Sequence, residues 1–381
     1  MAEVEKKEGK TRQGGRLLPL WKVFPNLRGA AILAVVFTHA VVYYQVRTFS
    51  WHPDAAKGKA WLGLFFLPTP FWSALHELSS FAVPLFLFLS GHFLALSPHG
   101  GKAVWERVKK LLLPYLFWSL VAWGLSWRKG EGWSLLSFLR LLREGDTVAP
   151  YWFIVLLLQY YLLAPWLVPL VKKRPVPALW AGVLLNLSIS AWNYNSALGW
   201  NSAGYPLCYF PSLIFYVVLG IWAGLYPGRL KAVLESFKPA VLGALLAVSA
   251  VLLVGETSFL INEMRGTGEF MRSMLFGYSH WKFFSLPFSL LAIFWVLERG
   301  RKGWVSKGWL RSAGKNAFTI YLVHVFVLDA LGFVYWHSPG FLGGTPLTIV
   351  LDFLAGVWVP ILLAKVVRSR IPWAGNLLLG D

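Results

Sequence analysis

Long apolar stretches separated by short polar ones run from residue 24 almost to the end of the chain. A helix needs roughly 17–25 residues to cross about 30 Å of hydrocarbon. Ten stretches approach or reach that length, at 24–46, 74–97, 111–127, 150–171, 177–192, 208–226, 239–255, 279–297, 316–336 and 346–367. None shows the alternation of a lipid-facing β-strand, which leaves helices as the spanning structure. The pattern predicts an all-α polytopic membrane protein of about ten transmembrane helices. A basic segment, 1–22, precedes the membrane domain, 23–370, and a short tail, 371–381, follows it. No repeat or appended soluble domain is evident.

Composition agrees with this pattern. The 381 residues are 57% hydrophobic and only 14% charged, against roughly 25% charged in soluble domains. The net charge of +19 would suggest nucleic acid in a soluble protein, but the placement of the cations gives another explanation. With the N-terminus inside, the inner segments and Lys365 hold 25 of the 36 Lys and Arg residues. That bias predicts both termini in the cytosol of a plasma-membrane protein, with basic runs such as Lys172-Lys173-Arg174 facing anionic lipid. No nucleic-acid partner is expected. Residues 1–20 lack a short apolar core, so no cleavable signal peptide is expected and the first span serves as an anchor. Cys208 is the single cysteine and the histidines form no ligand cluster, so neither a disulfide framework nor a metal site is expected.

Charge and imidazole inside the apolar runs carry the candidate chemistry, because ionisable groups are costly in hydrocarbon. In LRGAAILAVVFTHA, 27–40, Arg28 and His39 lie eleven positions apart. That is three turns plus about 20°, so the two share one helix face, roughly 16 Å apart along the axis. Taken alone, Arg28 reads as a snorkelling interface cation and His39 as a hydrogen-bonded core histidine. Together they join an anion-binding group at the cytosolic interface to a base in mid-membrane, a geometry suited to acyl-coenzyme A. Histidine takes and returns protons near neutral pH.

Other polar positions are Gln159, Tyr321 with His324 one turn later, and Asp329 and Asp352 in the outer halves of consecutive spans. Gln159, Tyr321 and His324 are candidate pocket residues, with helix-packing hydrogen bonds as the simpler reading. His92 and the His76-Glu77 pair read as interfacial. Gly220 and Gly224 predict close helix packing. The longer loops, 47–73, 128–149 and 256–278, carry Trp51, His52, Trp61, Trp133 and Arg140, and present an acceptor-side surface without a motif.

Five segments occur in a telling order: Arg28-x10-His39; FAVPLFLFLSGHFL, with Ser90-Gly91; WERVKKLLLPYLFWS; YWFIVLLLQYYLLAP, with Gln159; and NAFTIYLVHVFVL, with Tyr321 and His324. In this the chain resembles acyltransferase family 3, the integral-membrane acyltransferases, over nearly its whole length. The resemblance implies that His39 is the catalytic base and that Arg28 belongs to the family's arginine signature. The family's third-span Arg-x-x-Arg appears as Arg107-Val-Lys-Lys110, in which Lys offers a point charge instead of a fork.

The expected activity is transfer of an acyl group, most commonly acetyl in the family, from cytosolic acyl-CoA. The acceptor is a hydroxyl or amine of a glycan, lipid or small molecule. Arg28, Arg107 and Lys110 hold the donor's phosphates, with Tyr321 and Gln159 as candidate oxyanion donors. No esterase-like domain is expected after the last span. The alternatives are a proton-coupled transporter and a scaffold subunit.

Overall fold

The computed structural model describes residues 20–51, 69–128, 130, 132–198, 204–265, 280–303, 308–337 and 345–380. The basic N-terminal residues up to 19, and His52 and Trp61 of the first long loop, lie outside them. The regular elements of the described residues are all helices, with no strand among them.

The helices are α1 (Leu20–Trp51), α2 (Thr69–Ser79), α3 (Ala82–Leu96), α4 (Gly101–Arg128), α5 (Leu135–Glu144), α6 (Trp152–Lys173) and α7 (Pro175–Ala197). They continue as α8 (Ile214–Leu225), α9 (Pro227–Ser236), α10 (Pro239–Arg265), α11 (Ser285–Arg301), α12 (Gly308–Lys315), α13 (Ala317–His337), α14 (Leu347–Arg370) and α15 (Gly375–Leu378). α1 is the hub, packed against α2, α3, α11, α12, α13 and α14. Trp180, Leu184, Val251, Leu252, Trp358 and Leu362 are exposed on α7, α10 and α14, as apolar side chains are where hydrocarbon replaces water.

Among the described residues, eight helical stretches are long and apolar enough to cross a membrane, or nine if the bent pair α8–α9 is one span. Ten were expected, and the difference lies in two segments. The run 208–226 contains only the 12-residue α8, about 18 Å long. It ends because Pro227, without an N–H, starts a new helix bent by 107°. In the run 279–297, residues 280–284 are irregular and the 17-residue α11 starts only at Ser285. Glu256 accounts for that start, since its carboxylate accepts the N–H groups of Phe283 and Phe284 at 2.8 and 2.9 Å. These satisfy donors that no helical carbonyl reaches.

Close approach at Gly220 and Gly224 is realised: an added Cβ would strike the Phe88 carbonyl in one case, and Ala95 and the His92 carbonyl in the other. α8 and α3 therefore pack backbone to backbone. The loop 128–149 holds an unexpected amphipathic helix, α5, capped by Ser134 and ended by Gly145 at φ 71°. The tail folds back, with the Leu378 carbonyl accepting from the Trp118 indole at 3.0 Å.

Candidate functional site

His39, Tyr43 and Arg47 follow one another at intervals of four on α1 and so form one stripe. α13 runs beside that stripe, and the two helices meet in two polar rungs. In the first, His324 Nε2 lies 3.4 Å from His39 Nδ1, with ring centroids 4.9 Å apart at 64°. In the second, one turn further on, the Tyr43 hydroxyl donates to Asp329 Oδ1 at 2.8 Å.

The proton positions in the first rung follow from its acceptors. His324 Nδ1 lies 2.9 Å from the carbonyls of Ile320 and Tyr321, and His39 Nδ1 lies 2.8 Å from that of Val35. Carbonyls only accept, so both Nδ1 atoms carry hydrogens. His324 Nε2 is then a lone pair that shares the His39 Nδ1–H. The remaining atom, His39 Nε2, is the basic one. His324 is fully buried whereas His39 is half-buried.

Arg28 lies on the same continuous helix, three turns from His39. It is exposed, with its guanidinium 4.4 Å above the Phe93 ring. The Tyr161 phenol is within electrostatic reach of both Arg28 and Arg107. Arg107 donates to the Pro98 carbonyl at 2.7 Å, while its buried Nη1 is left without a partner. Lys110 is exposed one turn along α4. An added Cβ at the C-terminal Gly380 would meet the Lys110 main-chain carbonyl, so the tail lies against this turn of α4.

Across residues 24–365 the sequence matches the family model described as Acyltransferase domain. The chain belongs to acyltransferase family 3. No curated protein and no solved structure matches it. Membership makes this a multi-pass membrane acyltransferase and decides between the expected enzyme and the transporter and scaffold alternatives.

Of the three expected pocket residues in the acyltransferase, only His324 touches His39. The Tyr321 hydroxyl donates to the Pro150 carbonyl and so pins the turn before α6. The Gln159 amide donates to the carbonyls of Val155 and Cys208 at 3.0 and 2.6 Å. Its oxygen accepts from Phe210 N at 3.0 Å, so it fastens the segment before α8. Neither residue has a donor to spare for an oxyanion.

Sequence reasoning missed Lys282 as the partner of the His76-Glu77 pair. Lys282 Nζ reaches Glu77 Oε1 at 2.6 Å and Thr257 Oγ1 at 2.7 Å, and His76 Nδ1 lies 3.2 Å from the same Glu77 oxygen. Lys282 and Glu77 are each 1% exposed and His76 is buried with them, so all three side chains face the inside of the bundle. His92 is also buried, its ring 4.5 Å from that of Phe24. Asp352 pairs with Arg47, which also lies 5.0 Å from the Tyr335 ring. The intervals 39, 43 and 47 on one face were the available signal for this stripe. Lys282 gave none, because its partners come from α2 and α10.

Proposed function

We propose that this acyltransferase moves an acyl group, expected to be acetyl, from cytosolic acyl-CoA to a hydroxyl or amine of a glycan, lipid or small molecule, with His39 as general base. The observation that carries this reading is the state of His39: Nδ1 is held by Val35 and His324, and Nε2 remains a lone pair. That lone pair takes the acceptor's proton as the oxygen attacks the thioester carbon. The tetrahedral intermediate then collapses, the C–S bond breaks, and the proton passes from His39 to the departing thiolate. The products are free CoA and an ester, or an amide where the acceptor is an amine. Positioned proton transfer of this kind contributes about 10²–10⁴-fold in rate.

Arg28 and Arg107, both within electrostatic reach of Tyr161, with Lys110 one turn beyond Arg107, supply cations for the donor's phosphates. This assignment places that end of the bundle, and both termini, in the cytosol of a cell whose plasma membrane holds the enzyme, as the distribution of Lys and Arg favours.

Purified enzyme supplied with labelled acetyl-CoA and a mixture of acceptors tests the reading. Wild type releases free CoA in an acceptor-dependent way and His39→Ala does not. Equal release by the two proteins would remove His39 from the chemistry.

A further inference from the structure

Attack on a thioester loads negative charge onto its carbonyl oxygen, and a fixed hydrogen-bond donor is needed there. The donors already described are spent. Tyr321 and Gln159 are committed to main-chain carbonyls, and the Nδ1 hydrogens of His39 and His324 also go to carbonyls. Lys282 Nζ reaches Glu77 and Thr257, and His76 Nδ1 lies against the same Glu77.

His280 is not spent. It is half-buried, within electrostatic reach of His39, His76 and Glu77, and its Nδ1 is enclosed without a hydrogen-bond partner. A buried ring nitrogen left unpaired destabilises a fold, and a catalytic partner is one of the few things that accounts for it.

The place of His280 is set from two sides. On α2, Leu75 packs against Ala40, Val41 and Tyr44 of α1, His76 comes next within electrostatic reach of His39, and Glu77 then pairs with Lys282, two residues past His280. The backbone stays held even without that ion pair, because Glu256 accepts the N–H groups of Phe283 and Phe284. On the other side, the Trp152 ring lies 5.8 Å from the His280 ring. Trp152 follows Tyr151, whose hydroxyl donates at 2.7 Å to the Leu322 carbonyl, two residues before His324. A donor fixed in advance stabilises developing charge without reorganising.

The geometry points to His280 as a further catalytic residue, whose ring N–H donates to the thioester carbonyl oxygen as that oxygen becomes an oxyanion. A neutral imidazole polarises a carbonyl in this way and keeps its proton. As the acceptor oxygen bonds to carbon, the carbonyl π pair moves onto oxygen and His39 takes the acceptor's proton. When the C–S bond breaks, the pair returns and His280 is unchanged. This inference rests on the proposed acyl transfer with His39 as base.

Two measurements on the full-length enzyme test it. In the CoA-release assay, His280→Phe keeps a ring without an N–H and loses about 10²–10³-fold in kcat, while KM for acetyl-CoA stays within about twofold. His280→Gln retains an N–H and loses roughly tenfold less. Difference infrared spectroscopy of carbonyl-¹³C acetyl-CoA reads the hydrogen bond itself, in the His39→Ala protein and without acceptor. The bound carbonyl stretch falls below that of free acetyl-CoA, and adding His280→Phe returns it to the free value. Wild-type kcat in His280→Phe overturns the assignment, as does a carbonyl shift that survives His280→Phe. An unshifted carbonyl in the His39→Ala protein overturns it too, even where His280→Phe fails to fold. Full turnover by His39→Ala would sink the base instead, and the carbonyl shift would still support or overturn His280.

Discussion

Two polar groupings lie inside the apolar bundle and they differ in one respect. Around Glu77, a cation, a carboxylate, a hydroxyl and an imidazole close on one another, and Lys282 and Glu77 are each 1% exposed. Around His39, two imidazoles and backbone carbonyls fix three of the four ring nitrogens and leave His39 Nε2 open on a half-buried residue. The first arrangement holds α2, α10 and the irregular start of α11 together. The second leaves one imidazole nitrogen for the proposed role of base. Buried polarity alone is therefore a weak pointer to chemistry; an unspent lone pair at the end of a fixed network is the feature on which the proposed role of His39 rests.

The largest effect expected from this contrast is loss of turnover in His39→Ala, by at least the 10²–10⁴-fold of positioned proton transfer. Its thermal midpoint should stay close to wild type, read by a dye-based melting assay in detergent. Lys282→Ala should show the opposite pattern. It leaves Glu77 buried and uncompensated and costs about 3–5 kcal/mol of stability, measured by the same melt. Pairing it with Glu77→Gln should return part of that loss, because the stranded charge is gone. If Lys282→Ala melts normally but has no activity, the line between the two groupings is wrong.

An intermediate effect is expected at the donor end. Arg28→Ala removes charge-assisted hydrogen bonds of about 1.5–3 kcal/mol, so KM for acetyl-CoA should rise roughly 10–100-fold with kcat little changed. Initial rates across a range of acetyl-CoA concentrations separate the two parameters. The smallest effect falls on His324→Gln, whose side-chain amide offers an acceptor for the His39 Nδ1–H. It should lower kcat by less than His324→Ala does, and neither should change KM for acetyl-CoA. A uniform loss in both variants would make His324 a packing residue.

The helical class and the Arg28–His39 face were legible because each rests on spacing within one helix. α1 is a single uninterrupted helix from Leu20 to Trp51, so eleven positions translate directly into distance and direction. Gly220 and Gly224 were legible for the same reason. What spacing could not convey was contact between distant segments. His324 comes to His39 across 285 positions, and Lys282 comes to Glu77 across a comparable gap. Gln159 and Tyr321 were rightly noticed as polar, but only the structure assigns their hydrogen bonds to the Cys208–Phe210 segment and to Pro150. The shortness of the helices within 208–226 and 279–297 was illegible for a similar reason, since hydropathy registers apolar residues and not the proline at 227 or the Glu256 cap at the start of α11.

The most direct test of this account is the protonation pattern of the His39 ring in the folded enzyme. Solid-state NMR of protein carrying ¹⁵N-labelled histidine, with His39→Ala identifying the resonances, reads both nitrogens at neutral pH. A hydrogen on Nδ1 and a bare Nε2 is the result predicted. A hydrogen on Nε2 would contradict the proposed base.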